Sequence, residues 1–177
     1  MSKKHPIIAV TGSSGAGTSI AKSAFMYIFR KNGINPAIID GDCFHRYNRN
    51  EMDNLSAEAE KNGKNLTHFG PEGNLFEELE SVFSEYGKNG TGKRRFYIHD
   101  EKEASEHGGA PGTLTPWESL EENTDLLFYE GLHGGLVTDK INVAKHVDLL
   151  IGVTPIINLE WMQKIHRDRE IRGYTTE

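Results

Sequence analysis

The chain of 177 residues is long enough to bury one real core and short for two, so one domain with one site is expected. Its 20 Lys and Arg against 26 Asp and Glu leave a formal charge of −6, which argues against a general nucleic-acid binder. A single cysteine, Cys43, excludes an intrachain disulfide and a cysteine-rich zinc site; no apolar run reaches membrane length and no signal-peptide core follows the basic start, so a cytoplasmic protein with neither nucleic acid nor membrane as partner is expected.

The apolar, β-branched run at 6–11 predicts a buried parallel strand leading into a glycine-rich turn. From 19 to about 31, Ile20, Ala24, Phe25, Ile28 and Phe29 recur at helical spacing, and Asn32 and Gly33 supply a stop. A second strand at 37–39 ends on Asp40, Gly41 and Asp42, so that acidic groups sit at a strand's carboxyl end. Between 51 and 117 two polar helical patterns are expected, one carrying Leu75, Leu79, Val82 and Phe83, together with a strand at 95–99. The glycine-rich stretches at 87–92 and 108–112 read as turns or mobile loops, because they lack apolar residues to offset the cost of ordering. Buried strands at 126–129 and 149–153, separated by a helical pattern, precede a last helix from about 157 to 172. Alternating strands and helices imply an α/β fold with a parallel sheet.

The segment Gly12, Ser13, Ser14, Gly15, Ala16, Gly17, Thr18, Ser19 matches the phosphate-loop pattern GxxxxGK[ST] at both glycines and at the last hydroxyl, but carries Thr18 where lysine is expected. Small residues let backbone N–H groups turn inward around a phosphate, the following helix adds its positive end, and Ser19 can ligate a magnesium ion. A tight strand-to-helix turn is the plainer reading, and the position directly after a buried strand favours phosphate binding over it. A loop without its cation must borrow Lys or Arg from elsewhere. Lys164 and Arg167 on the last helix are candidates.

Other charged groups also fall at informative places. Asp42, at a strand end, can act as general base, or it can be an ordinary turn or N-cap aspartate. His45 and Arg49 lie four apart, so one helical turn would place them on one face as a cationic pair suited to a phosphate, whereas Arg46 is expected to face solvent. Glu130 ends an apolar run, which is how an acid is delivered to magnesium from a buried strand; a helix-capping acid is the alternative. Lys164, Asp168 and Arg172 step by four along one helix face, with Arg167 to one side, forming either a lid over ATP in which Asp168 orients the cations or contacts the metal, or a salt-bridged surface helix.

In order along the chain stand GSSGAGTS at 12–19, GDCFHRYNR at 41–49, YEGLHG at 129–134 and IHRDR at 165–169, followed by Arg172, Gly173 and Tyr174. This ordered set resembles the bacterial type of phosphoribulokinase, in the phosphoribulokinase and uridine kinase family of P-loop kinases. The resemblance covers nearly the whole chain, Thr18 included. It implies a P-loop nucleoside-triphosphate-hydrolase-like three-layer α/β/α fold with a mostly parallel sheet, and transfer of the γ-phosphoryl group of ATP, with Mg2+, to the 1-hydroxyl of D-ribulose 5-phosphate in the Calvin cycle. On that resemblance Asp42 is the base; Lys164, Arg167 and Asp168 act in catalysis; His45, Arg49, His99 and Arg172 lie on the substrate side; and Ser19, Glu130 and Asp168 face the metal.

The resemblance further implies NADH and AMP as effectors and a homo-oligomer when complete. It also implies that residues 1–177 are one kinase domain lacking its C-terminal part, with a lid-like helix at 157–173. Asp53 stands where a basic residue is expected of such relatives. Two alternatives share the general layout: a uridine- or pantothenate-type small-molecule kinase, against which GDxFHRxNR and EGLHG argue, and a non-catalytic nucleotide-binding regulatory protein, against which Asp42 and Glu130 count.

Overall fold

A computed structural model of the chain describes residues 4–170. Four strands, β1 (Ile7–Gly12), β2 (Pro36–Asp40), β5 (Leu126–Gly131) and β6 (Leu149–Val153), form one sheet in the order β2-β5-β1-β6. Every pairing in it is parallel, so all four carboxyl ends open along one edge, where ligands of open α/β sheets bind.

Both faces of this sheet are covered, as three layers require. On one face lies α1 (Thr18–Asn32), whose Phe25 and Phe29 rings meet Phe128 at 5.2 and 5.7 Å beside Val10 and Leu126. On the other lies α3 (Phe76–Asn89), which buries Leu79, Val82, Phe83 and Tyr86 against Ile7, Ala9, Ile39, Leu127 and Tyr129. Successive strand residues thus serve opposite layers, and the α/β/α architecture follows from that alternation.

Local signals set the helix ends. Gly33 closes α1 in the left-handed region at φ 65°, with Arg30 and Lys31 in its last turn complementing the helix dipole. The helix α2 (Arg49–Lys61) opens on a capping box: Glu51 N–H donates to Asn48 Oδ1 at 2.9 Å, and Asn48 N–H donates to Glu51 Oε2 at 2.9 Å.

Several expectations are corrected. The strand expected at 95–99 does not join the main sheet; two-residue strands β3 (Lys93–Arg94) and β4 (Glu118–Ser119) pair beside it, and Tyr97 makes only an isolated bridge to Leu114. The short helix α4 (Glu101–His107) follows instead, capped by Asp100, whose Oδ1 accepts from Glu103 N–H at 2.9 Å. No α-helix separates β5 from β6. There Thr138 Oγ1 accepts from Ile141 N–H at 3.0 Å and Asn142 Oδ1 accepts from Lys145 N–H at 3.0 Å, and such side-chain bonds compete with helical ones, leaving a 3-10 turn at Ala144–His146.

Among the described residues the strand β6 is an edge, not a buried strand, with Leu149 and Leu150 47% and 46% exposed. In α1 the expected apolar stripe is rotated, because Phe25 and Phe29 face the sheet while Ile20 and Ile28 are exposed. Apolar side chains also lie open on α5 (Ile157–Glu170), among them Trp161 and Met162. That helix coincides with the expected lid up to residue 170. The remainder of the 157–173 segment, Arg172 with it, lies outside the described residues. No helix of the described residues is long and apolar enough to cross a membrane.

Candidate active site

Residues 12–19 turn from β1 into α1 with Gly15 and Gly17 at φ 94° and 95°, a left-handed conformation that side chains resist and that shapes an anion-binding backbone concavity. Gly12 is needed for space, since a Cβ there would stand 2.8 Å from Val153 O and 2.9 Å from Thr18 Cγ2. Ser13, Ser14, Gly15, Thr18 and Ser19 line a cleft of about 1170 Å3 at the sheet's carboxyl edge, together with Gly12 and Gly17. Ala16 does not face it; at 7% exposure it is buried beneath the loop.

The same cleft brings together every other site residue expected from sequence within the described span: Asp42, His45, Arg49, His99, Glu130, Lys164, Arg167 and Asp168. Strand register explains two of them. Asp40 and Glu130 are paired positions at the ends of β2 and β5, so the acids Asp40, Asp42 and Glu130 reach one rim. The glycines beside them are steric requirements. A Cβ on Gly41 would lie 2.5 Å from Tyr129 Oη, and one on Gly131 would lie 2.8 Å from Gly41 Cα, so these chain segments approach as closely as they do only without side chains.

Asp42 sits in a 3-10 turn (Gly41–Phe44), and each of its oxygens meets an imidazole: Oδ1 lies 3.4 Å from His45 Nε2 and Oδ2 lies 3.1 Å from His99 Nε2. The Asp42 side chain is half exposed to the cleft; partial desolvation by the surrounding protein works against the ionised carboxyl, but the bonds from the two histidines outweigh it and hold Asp42 well below the usual carboxylate range. His45 and Arg49 do not share a helical turn, because His45 ends the 3-10 turn with extended backbone and Asn48 starts a new helix. Both still reach the cleft. Arg49 Nη2 donates to His99 O at 3.2 Å, while Arg46 is exposed and donates to Asn74 O at 3.0 Å.

Three residues of this site were not expected from the sequence. Arg95 clamps the Asp42 turn, donating from Nε to Cys43 O at 2.8 Å and from Nη2 to His45 O at 2.5 Å, with its guanidinium 4.5 Å from the Trp117 ring centre. Asn74 supports His45 from behind. Lys22, one helical turn past Thr18, points into the cleft and pairs with Asp40. A lysine is thus present on the loop's own helix, and the four-residue step from Thr18 is the signal that marks it.

The helix α5 docks on the loop itself. Ser13 donates its hydroxyl to the Glu160 carboxylate, Arg167 Nη2 donates to Ser14 Oγ at 2.9 Å, and a Cβ on Gly15 would come within 3.2 Å of Lys164 Cβ. Asp168 holds the cations in place, with Oδ1 2.8 Å from Arg167 Nη2 and Oδ2 3.7 Å from Lys164 Nζ. Glu130 is pushed up by burial, opposed by a hydrogen bond from Thr18. Asp53 also lines the cleft, on the α2 turn after Arg49.

The fit to magnesium is favourable on donor chemistry. Among the described residues no three His, Cys, Asp or Glu converge as a metal cage, and Mg2+ needs none, since it is held by one or two carboxylates with phosphate and water oxygens. Ser19, Glu130 and Asp168 all line the cleft and carry oxygen donors of that kind.

Comparison with known proteins gives concordant matches. The model of the phosphoribulokinase / uridine kinase family matches residues 7–177. A phosphoribulokinase of Nitrobacter vulgaris is 58% identical over the whole chain, and the chromosomal phosphoribulokinase of Cupriavidus necator is 57% identical over the whole chain. The chain spans 61% of the length of each. The solved phosphoribulokinase from Rhodobacter spheroides superposes with a TM-score of 0.85 at 50% identity, covering 99% of this chain and 60% of that one.

Proposed function

The chain belongs to the phosphoribulokinase / uridine kinase family, and from that premise we propose that its protein transfers the γ-phosphoryl group of ATP to the 1-hydroxyl of D-ribulose 5-phosphate, forming D-ribulose 1,5-bisphosphate and ADP. The observation that carries this reading is the placement of an ionised Asp42 in one cleft with the phosphate loop, in a chain 58% identical to a phosphoribulokinase.

Residues 12–19 cradle the nucleotide phosphates through backbone N–H groups and the start of α1. Lys164 and Arg167, held against the loop by α5, supply positive charge toward the transferring group, and Lys22 adds to it from α1. Ser19, Glu130 and Asp168 would hold Mg2+, which when bound neutralises phosphate charge. The sugar hydroxyl donates a hydrogen bond to Asp42, whose oxygens retain free lone pairs beside the two histidines. As the hydroxyl oxygen bonds to γ-phosphorus, the bond to the β-phosphate oxygen breaks and the hydroxyl proton passes to Asp42.

The depressed Asp42 carboxyl is a weak base, which suits a loose phosphoryl-transfer transition state: it orients the hydroxyl first and takes the proton late. Arg49, His45 and His99 line the part of the cleft assigned in this reading to the substrate's 5-phosphate, where Arg49 is the strongest donor and His45, its ring nitrogens facing Asn74 and Asp42, adds positive charge. Arg172 is assigned to the same end by family resemblance. So are a homo-oligomeric, cytoplasmic protein and control by NADH and AMP. Against the uridine- or pantothenate-type alternative stands 58% identity to a phosphoribulokinase, and against the non-catalytic one the presence of Asp42 and Glu130 in the cleft.

The test is an ATP and Mg2+ assay against ribulose 5-phosphate, uridine and pantothenate, run on residues 1–177 and on the natural protein with any further C-terminal residues. Ribulose 5-phosphate is expected to be consumed. Turnover of uridine alone would replace the substrate assignment, and nucleotide binding without turnover in either form would point to a regulator.

A further inference from the structure

Behind His45 lies Asn74, a buried amide side chain 1% exposed. Its segment is stitched to the His45 segment by backbone bonds, Leu75 N–H to Phe44 O at 2.8 Å and Arg46 N–H to Gly73 O at 2.9 Å. The Asn74 amide nitrogen donates to His68 O at 2.7 Å and to Gly70 O at 2.9 Å. Both partners are carbonyls, which only accept, so the amide cannot be flipped, and Oδ1 must be the atom that faces His45 Nδ1 at 3.1 Å. Nδ1 therefore carries a proton. On the other edge of the ring, Nε2 faces an Asp42 oxygen at 3.4 Å, and an ionised carboxylate also only accepts. His45 is satisfied on both edges only as the imidazolium.

We propose that Asn74 is a positioning residue for phosphoryl transfer: it fixes His45 as a donor on both edges, and the imidazolium so held aims the Asp42 carboxylate. This role rests on the reading of Asp42 as the group that takes the sugar hydroxyl's proton. The surroundings of His45 agree with it. Burial alone would depress His45, and its bonds to Asp42 and Asn74 outweigh that and raise it, with Arg95 opposing. The other titratable groups packed around it are Tyr97 and His68, ring centres at 5.5 and 5.8 Å, and His133, whose Nε2 bonds Phe69 O at 3.1 Å. His68 and His133 are themselves lowered by burial, opposite in direction to His45, while His99 shares Asp42, and Asp53 and Lys164 act on His68 from the cleft rim.

Two substitutions separate the tie to His45 from support of the loop. Asn74→Ala removes both. Asn74→Asp keeps an acceptor for Nδ1 and loses the two donors to the loop carbonyls. Side-chain 15N NMR of His45 across pH, in the protein without ligand, reads the result. The midpoint is expected to move to lower pH in Asn74→Ala and to stay at or above the wild-type value in Asn74→Asp. An unchanged midpoint in Asn74→Ala, or an equal fall in both variants, overturns the proposal, because Asn74 would then act only on the loop. If Asn74→Ala does not fold, Asn74→Asp decides alone: a midpoint below wild type overturns it. The resonance needs no substrate, so failure of the ribulose 5-phosphate assignment would appear in the kinase assay and not here.

Discussion

Replacing Gly41 with alanine is the sharpest steric test of how the strand ends create the site. The new Cβ would stand 2.5 Å from Tyr129 Oη, 3.0 Å from Gly131 Cα and 3.1 Å from Tyr129 Cζ, all below ordinary van der Waals contact. Tyr129 cannot retreat, being fully buried with its ring 5.3 Å from that of Phe83, and Gly131 is backbone of a central strand. The turn bearing Asp42 must move instead. Overpacking of this kind costs about 1–3 kcal/mol. Tyr129→Phe removes the nearest atom at the cost of the acceptor for His133 N–H at 3.3 Å, a loss of about 1 kcal/mol. The double variant should recover part of the clash, because the contacts at 3.0 and 3.1 Å remain. Urea unfolding of the four proteins should show a favourable coupling of about 0.5–2 kcal/mol at constant m. Additive effects, or a Gly41→Ala protein as stable as wild type, would refute the argument.

Other outcomes follow from the charges and burial of the site. Asp42, with its carboxyl held low, contributes stability that is present above the ordinary value of 3.8 and lost as pH falls through the folded value, so Asp42→Asn should flatten the acid limb of a stability–pH curve measured by urea unfolding. His45 titrates the other way: raised in the fold, it contributes stability that is present below 6.5 and lost as pH rises through its folded value, and His45→Gln should remove that loss. Lys164→Ala should lower turnover far more than it changes Tm, because its 3.7 Å pair with Asp168 is partly exposed and worth about 1 kcal/mol or less; unchanged turnover would end the idea that Lys164 offsets Thr18. Cys43 is 1% exposed with its thiol pushed up to about 12 by burial, so native protein should react with a thiol reagent at neutral pH only as fast as it opens; prompt labelling would contradict its burial.

The phosphate loop was legible because glycines and small residues follow an apolar run, and the left-handed φ of Gly15 and Gly17 needs that composition. Asp42 and Glu130 were legible for a related reason: each closes or follows a short apolar run that reads as a buried strand and is one. Asn74, Arg95 and Glu160 were not, since they reach His45, Cys43 and Ser13 across 29, 52 and 147 residues and no local spacing encodes such contacts. A four-residue step is a helical neighbour only if the helix is continuous, and the Asn48 cap breaks it between His45 and Arg49. An apolar run like that of β6 reads the same at an edge as in the middle of a sheet. The Asp100 cap of α4 went unread, because the apolar residues just before it drew a strand at 95–99, although an acid three residues after Asp100 is a capping spacing.

The most direct measurement is product formation by wild-type and Asp42→Asn protein given ATP, Mg2+ and ribulose 5-phosphate, with nucleotide affinity followed in parallel. Ribulose 1,5-bisphosphate should form, and the substitution should lower kcat by about a hundred- to ten-thousand-fold while ATP binding is retained. Equal turnover by the two proteins, or phosphorylation of uridine with none of ribulose 5-phosphate, would contradict the account.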